Sequence, residues 1–274
     1  TFGNRNMKRY TTMLLCGILG AGLLTSCRTF PIAGSTAKQA FGGLEGALVV
    51  IDCSNDRTTT YRPDVAKLPL PPCSTFKIVN SLIGLETGIV SSPNDHFYKW
   101  DGIARSFAAW NRDLTFREAF EVSCVPAFQS LARQIGPERM QSWINKIGYG
   151  NHDISSGIDV FWLPSIGRRT IMISPAQQAE FMRRIVSGEV PFSKASRDTL
   201  KKLMFIKKTD RGTLYGKTGS GTGDTGSFVL GWFIGYVESN GKTYAFACVA
   251  QGENVMSKDA RDIVEKCFEH ERLL

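Results

Sequence analysis

Pro72-Cys73-Ser74-Thr75-Phe76-Lys77-Ile78-Val79-Asn80-Ser81-Leu82-Ile83-Gly84-Leu85 is the segment on which the reading of the whole chain turns. Pro69, Pro71 and Pro72 stop whatever precedes it. From Ser74 a new pattern opens, with Phe76, Ile78, Val79, Leu82, Ile83 and Leu85 apolar. The spacing predicts a buried helix that starts at Ser74 or Thr75 and is closed by Gly88. Upstream, 46–52 and 58–62 read as two strands around the turn Ser54-Asn55-Asp56. Downstream, 114–121, 125–135 and 138–147 read as helices separated by Pro126 and Gly136-Pro137. Ser174 is the expected N-cap of the next helix, with Pro175 at its first position and Phe181, Met182, Ile185 and Val186 at helical spacing. Residues 193–205 read as a basic helix, 212–218, 227–238 and 243–250 as strands, and 258–269 as a last helix. Strands at both ends and helices between them predict an α+β fold. An antiparallel sheet forms from both chain ends, flanked by helices, with an inserted helical lobe. The expected single domain is 44–274, its sheet part about 44–73 and 205–274, its lobe about 74–204.

Composition agrees with one packed domain. The 274 residues are 42% hydrophobic and 21% charged, which excludes disorder. The net charge is +8, and Arg5, Lys8 and Arg9 fall within the first 26 residues, which hold no acid. The remaining balance is mild and mixed, so no nucleic-acid partner is expected. His96, His152 and His270 have no metal-ligand spacing, and neither a Gly-x-Ser-x-Gly elbow nor a phosphate-binding Gly loop is present. No metal is expected.

Met7-Lys8-Arg9 followed by an uncharged apolar run over 11–24 reads as a signal peptide occupying 1–26, with residues 1–6 ahead of the better start at Met7. Leu24-Thr25-Ser26-Cys27 resembles a bacterial lipobox, which makes Cys27 the lipidated new N-terminus and 27–43 a tether. The expectation is an exported, periplasmic protein, held to the membrane through a lipid anchor only. Cys53, Cys73, Cys124, Cys248 and Cys267 remain beyond it; their number is odd, and sequence alone does not pair them.

The chemistry starts with Ser74 and Lys77. At the head of a helix, positions i and i+3 share a face, so hydroxyl meets amine. An amine is a base only when neutral, and apolar neighbours lower a lysine pKa. Lys217-Thr218-Gly219 lies on a predicted strand, where Lys217 supplies positive charge. Gly219 is expected to leave room for a ligand, and the Ser220 N–H to join that of Ser74 at a developing oxyanion. Ser123-Cys124-Val125 offers a second hydroxyl for proton transfer. Trp162, in Phe161-Trp162-Leu163, brings an indole N–H into an apolar stretch.

In this order, with Trp110-Asn111-Arg112-Asp113-Leu114-Thr115, Tyr149-Gly150-Asn151, Tyr215-Gly216 and Gly231-Trp232-Phe233-Ile234-Gly235, these motifs make the chain resemble the class D serine β-lactamases over nearly all of 42–270. The resemblance implies hydrolysis of penicillin-type β-lactams through an acyl-enzyme on Ser74, and with it antibiotic resistance. It implies that Lys77 takes up carbon dioxide to become N-carboxylated, the general base, and that Trp162 holds the group. Ser123 and Lys217 are implied as proton relay and electrostatic partner, Thr218, Gly219 and Arg261 as substrate-binding residues, and Val125 as a cover over the lysine. Carbon dioxide or bicarbonate is the one small molecule implied beside the substrate. The assembly expected is a monomer or homodimer. Residues 163–170 depart from the family, which leads one to expect a more acidic loop there. The alternative is a β-lactam sensor domain or a penicillin-binding transpeptidase or carboxypeptidase that stays acylated.

Overall fold

The computed structural model describes Ile32 and residues 34–274; the predicted signal peptide and Cys27 lie outside the described residues. Strands β1 (Glu45–Asp52), β2 (Arg57–Tyr61), β5 (Phe205–Lys208), β6 (Gly212–Thr222), β7 (Phe228–Ser239) and β8 (Lys242–Gln251) form one sheet in the order β2-β1-β8-β7-β6-β5. Every neighbouring pair is antiparallel. The first strands of the chain therefore lie against the last one, as predicted from the two ends. Side chains alternate across β1 with the period of a strand. Leu48 and Val50 face one core, with Phe246 and Phe268; Ala47, Val49 and Ile51 face the other, with Met182 and Ile234. Because both faces are covered, β7 and β8 are buried along nearly all their length.

The first face is covered by α8 (Ser257–His270) and α1 (Gly34–Phe41). The expected tether is thus helical over 34–41, its Thr36, Ala37 and Phe41 buried, and the Phe41 ring 4.8 Å from that of Tyr61. Burial of Phe41 outweighs a Gly- and Ser-rich composition that reads as linker. The second face is covered by α6 (Pro175–Ser187), which packs on β8, β1 and β7. It lies inside the range assigned to the lobe but belongs to the sheet layer. Its start is as predicted: Ser174 caps it, Gln177 completes a capping box and Pro175 stands in the first turn.

The remaining helices are α2 (Lys77–Glu86), α3 (Phe116–Glu121), α4 (Val125–Ile135), α5 (Pro137–Ile147) and α7 (Lys194–Met204), with a small hairpin of β3 (His96–Tyr98) and β4 (Leu114–Thr115). Eight of the ten residues of α2 are buried, so this helix is the centre of the lobe. Several predicted boundaries move, among them the strand expected over 212–218, which runs on to Thr222. Leu114 and Thr115 pair with β3, and Thr115 then caps α3. Phe205 does not end a helix but opens β5 opposite Tyr215.

Candidate active site

Cys73–Phe76 is a turn of 3-10 helix, and α2 proper begins at Lys77. In a 3-10 turn, residues i and i+3 eclipse rather than merely share a face. Ser74 and Lys77 are therefore superposed, with Lys77 Nζ hydrogen-bonded to Ser74 Oγ at 2.7 Å. The turn is entered through Cys73 in the left-handed region, φ 52. Such a conformation costs a side chain about 1–3 kcal/mol, and neighbouring contacts must hold it. Trp232 Nε1 donates to Pro71 O at 2.9 Å. Strand β6 presses on the same turn: a Cβ on Gly219 would meet Thr75 N, Ser74 N and Pro72 O at 3.0–3.1 Å. The missing side chain of Gly219 thus makes room for the protein's own nucleophile turn.

Behind the turn runs a buried chain of hydrogen bonds. Thr75 Oγ1 donates to Pro72 O at 2.7 Å and accepts from Gln178 Nε2 at 2.9 Å, while the Tyr149 hydroxyl donates to Gln178 Oε1 at 3.3 Å. Burial pushes the Tyr149 hydroxyl pKa up, so it stays a neutral donor. Gln178 is a site residue that sequence reasoning missed. The available signal was a polar residue in the same helical stripe as Phe181, Met182 and Ile185.

Lys77 is fully buried. The Phe128 ring lies 5.5 Å from Nζ, and Phe76 stacks on Trp162 with centroids 5.5 Å apart. Burial pushes the Lys77 pKa well down, and the charge of Lys217 pushes the same way. Among the described residues no carboxylate opposes them. Cys73 and Cys124 are the nearby acids, and burial pushes both thiols up, Cys73 to about 12. The site therefore favours the neutral form of the amine. Trp162 is also fully buried, and its indole N–H has no hydrogen-bond partner among the described residues. An orphaned donor of this kind costs about 1–3 kcal/mol. In the 163–170 loop, Arg168 donates to Leu163 O at 2.9 Å and Arg169 pairs with Asp153 at 3.2 Å.

Ser123 stands between α3 and α4 with φ 54, a second left-handed side chain. Cys124 N–H donates to Ala119 O at 2.8 Å and Trp110 Nε1 to Val122 O at 2.9 Å, which fix the turn. Lys217 Nζ donates to Ser123 Oγ at 3.1 Å and to Thr218 O at 3.0 Å. Burial lowers the Lys217 pKa to about 7. Val125 is the first residue of α4, half-buried beside this turn.

Lys217, Thr218 and Arg261 line one cleft of about 420 Å³ with Phe120, Phe205 and Ile206. Arg261 is at once a cleft residue and an ion-paired one, its Nε 2.6 Å from Glu265. Ser220 Oγ accepts from Ser257 N–H at 3.0 Å, joining β6 to the start of α8. The predicted residues thus meet as two pairs, Ser74–Lys77 and Ser123–Lys217, and Lys217 also lines the cleft that holds Arg261 and Glu121. Among the described residues the cysteines, Cys53, Cys73, Cys124, Cys248 and Cys267, are all free.

Residues 46–269 match the family model of the penicillin binding protein transpeptidase domain. The probable β-lactamase YbxI of Bacillus subtilis is 38% identical over 236 residues, 86% of this chain and 85% of that protein. The crystal structure of a class D β-lactamase from the same organism superposes with a TM-score of 0.81 at 35% identity, covering 89% of this chain and 99% of that one. The regulatory protein BlaR1 of Bacillus licheniformis is 32% identical over 208 residues, which are 76% of this chain but only 33% of that protein.

Proposed function

The chain belongs to the class D serine β-lactamases, and on that premise we propose that it opens penicillin-type antibiotics through an acyl-enzyme on Ser74, with Lys77 as the base, and so confers resistance. The observation that carries this reading is the 2.7 Å contact between Ser74 Oγ and a buried amine with no carboxylate partner. A neutral amine takes the hydroxyl proton as Ser74 Oγ bonds to the ring carbonyl carbon and the C–N bond breaks. Ser123, hydrogen-bonded to Lys217, passes a proton to the leaving nitrogen. The backbone N–H groups of Ser74 and Ser220 stabilise the oxyanion. Thr218 and Arg261 hold the substrate carboxylate, and Val125 restricts water above the lysine. Water then releases the product from Ser74.

Carbon dioxide fits the lysine pocket. A carbamate forms only on a neutral amine, and its negative oxygens need a donor, which the unpartnered Trp162 indole offers. Bound there, it would supply a carbamate oxygen as the base for both acylation and deacylation. The basic, apolar N-terminal run and Cys27 support export and lipid anchoring in the periplasm, and the protein acts as a monomer or homodimer. A sensor is the second reading, favoured only by the likeness to BlaR1. Turnover of a penicillin by the purified protein separates them. Repeated turnover that Ser74→Ala abolishes supports the enzyme; a stoichiometric, stable acyl-protein supports the sensor.

A further inference from the structure

Arg261 and Glu265 stand four residues apart on α8, one turn along the same face. Glu265 Oε1 accepts from Arg261 Nε at 2.6 Å, and Oε2 accepts from Lys207 Nζ at 2.7 Å. Lys207 belongs to β5, an edge strand that pairs only with β6 and carries an irregularity between Phe205 and Lys207. Phe205 and Ile206 of that strand line the cleft that Arg261 also lines. One carboxylate therefore ties the arginine to the strand beside it. Burial raises the Glu265 pKa, but the bonds from Lys207 and Arg261 bring it below the usual value, so it stays charged. Among the described residues, Glu265 is the one hydrogen-bond partner of Arg261. It takes the Nε edge, and both terminal Nη groups are left for a ligand.

We propose that Glu265 is a positioning residue: it fixes the plane of the Arg261 guanidinium so that its two Nη groups meet the substrate carboxylate as a fork. The inference rests on the reading of Arg261 as the carboxylate binder. A guanidinium pairs with a carboxylate through two parallel N–H bonds, which requires a set orientation as well as a charge. Without Glu265, Arg261 loses its only tether. Lys207 keeps Glu269, 3.3 Å away, and adds an unshared positive charge beside the arginine.

The test is steady-state kinetics on a penicillin and on its methyl ester, with Glu265→Ala, Glu265→Gln, Arg261→Ala and the double variant Arg261→Ala/Glu265→Ala, melting temperatures being recorded for each. Loss of the arginine's orientation with its charge kept predicts that Glu265→Ala raises KM for the acid roughly five- to tenfold with kcat within about twofold. Glu265→Gln keeps an acceptor for Nε and falls between. The effect vanishes with the ester and in the Arg261→Ala background. An equal rise in KM for the ester, or in the Arg261→Ala background, makes Glu265 a staple between α8 and β5 and overturns the inference. So does an unchanged KM in Glu265→Ala while Arg261→Ala raises it. An unchanged KM in Arg261→Ala removes the carboxylate reading itself, and the inference with it.

Discussion

Lys77 and Arg261 are both basic residues of one active site, and the molecule treats them in opposite ways. Lys77 is fully buried with the Phe128 ring 5.5 Å from its Nζ, and among the described residues no carboxylate acts on it. Arg261 is about two-fifths exposed and held by Glu265. The first environment favours the neutral form of the amine, and the second orients a guanidinium. A base is made by withholding a counter-ion in a dry pocket, and a carboxylate receptor by supplying one at a wet edge. Lys217 lies between the extremes, buried without a counter-ion, its pKa lowered to about 7.

Removing the buried amine tests this contrast most severely. Lys77→Ala is expected to lower turnover by roughly 10²–10⁴-fold, the worth of a positioned base, and added bicarbonate should not restore it. Rescue by bicarbonate in this variant would mean that another group is the base.

Trp162→Phe keeps an aromatic ring and removes only the indole N–H. A hydrogen bond to a charged group is worth about 1.5–3 kcal/mol. The bicarbonate needed for half-maximal turnover should rise by about one to two powers of ten. A variant that merely melts earlier, with an unchanged bicarbonate response, would reduce Trp162 to packing.

The pH dependence sharpens the intermediate case. Lys217 acts as a cation only below its pKa, so kcat/KM should fall as pH rises through about 7. Lys217→Arg should move that limb out of range. Stability runs the other way. Between about 7 and the ordinary lysine value of 10.5, the unfolded chain binds the proton that folded Lys217 has lost. Melting temperature should therefore climb across that window and flatten above it. Lys217→Met should weaken the climb, Lys77 retaining the same sign.

The smallest expected effect is at the wet edge. Arg261→Lys keeps the charge and loses the fork, and KM should rise about fivefold, roughly 1 kcal/mol, with kcat held.

What could be read from the sequence was local. The Ser74–Lys77 pair needs only a helical turn, and the Ser174 cap and the β7 and β8 strands are written in adjacent residues. What could not be read depends on who lies opposite. That the turn at Ser74 is 3-10, and that Gly219 serves it, follows from β6 pressing on 72–75. Gln178 and Glu265 carry no motif, since their partners are 103 residues away at Thr75 and 58 at Lys207. The helix over 34–41 was hidden by its composition and made by the burial of Phe41.

The account turns on a neutral Lys77 that binds carbon dioxide, and the direct measurement is carbon-13 NMR of the protein equilibrated with carbon-13 bicarbonate. One carbamate resonance is predicted, present in wild type and Ser74→Ala, weakened in Trp162→Phe, absent in Lys77→Ala, and lost reversibly on acidification. A spectrum without that resonance in wild type at neutral pH, or with it unchanged in Lys77→Ala, contradicts the account.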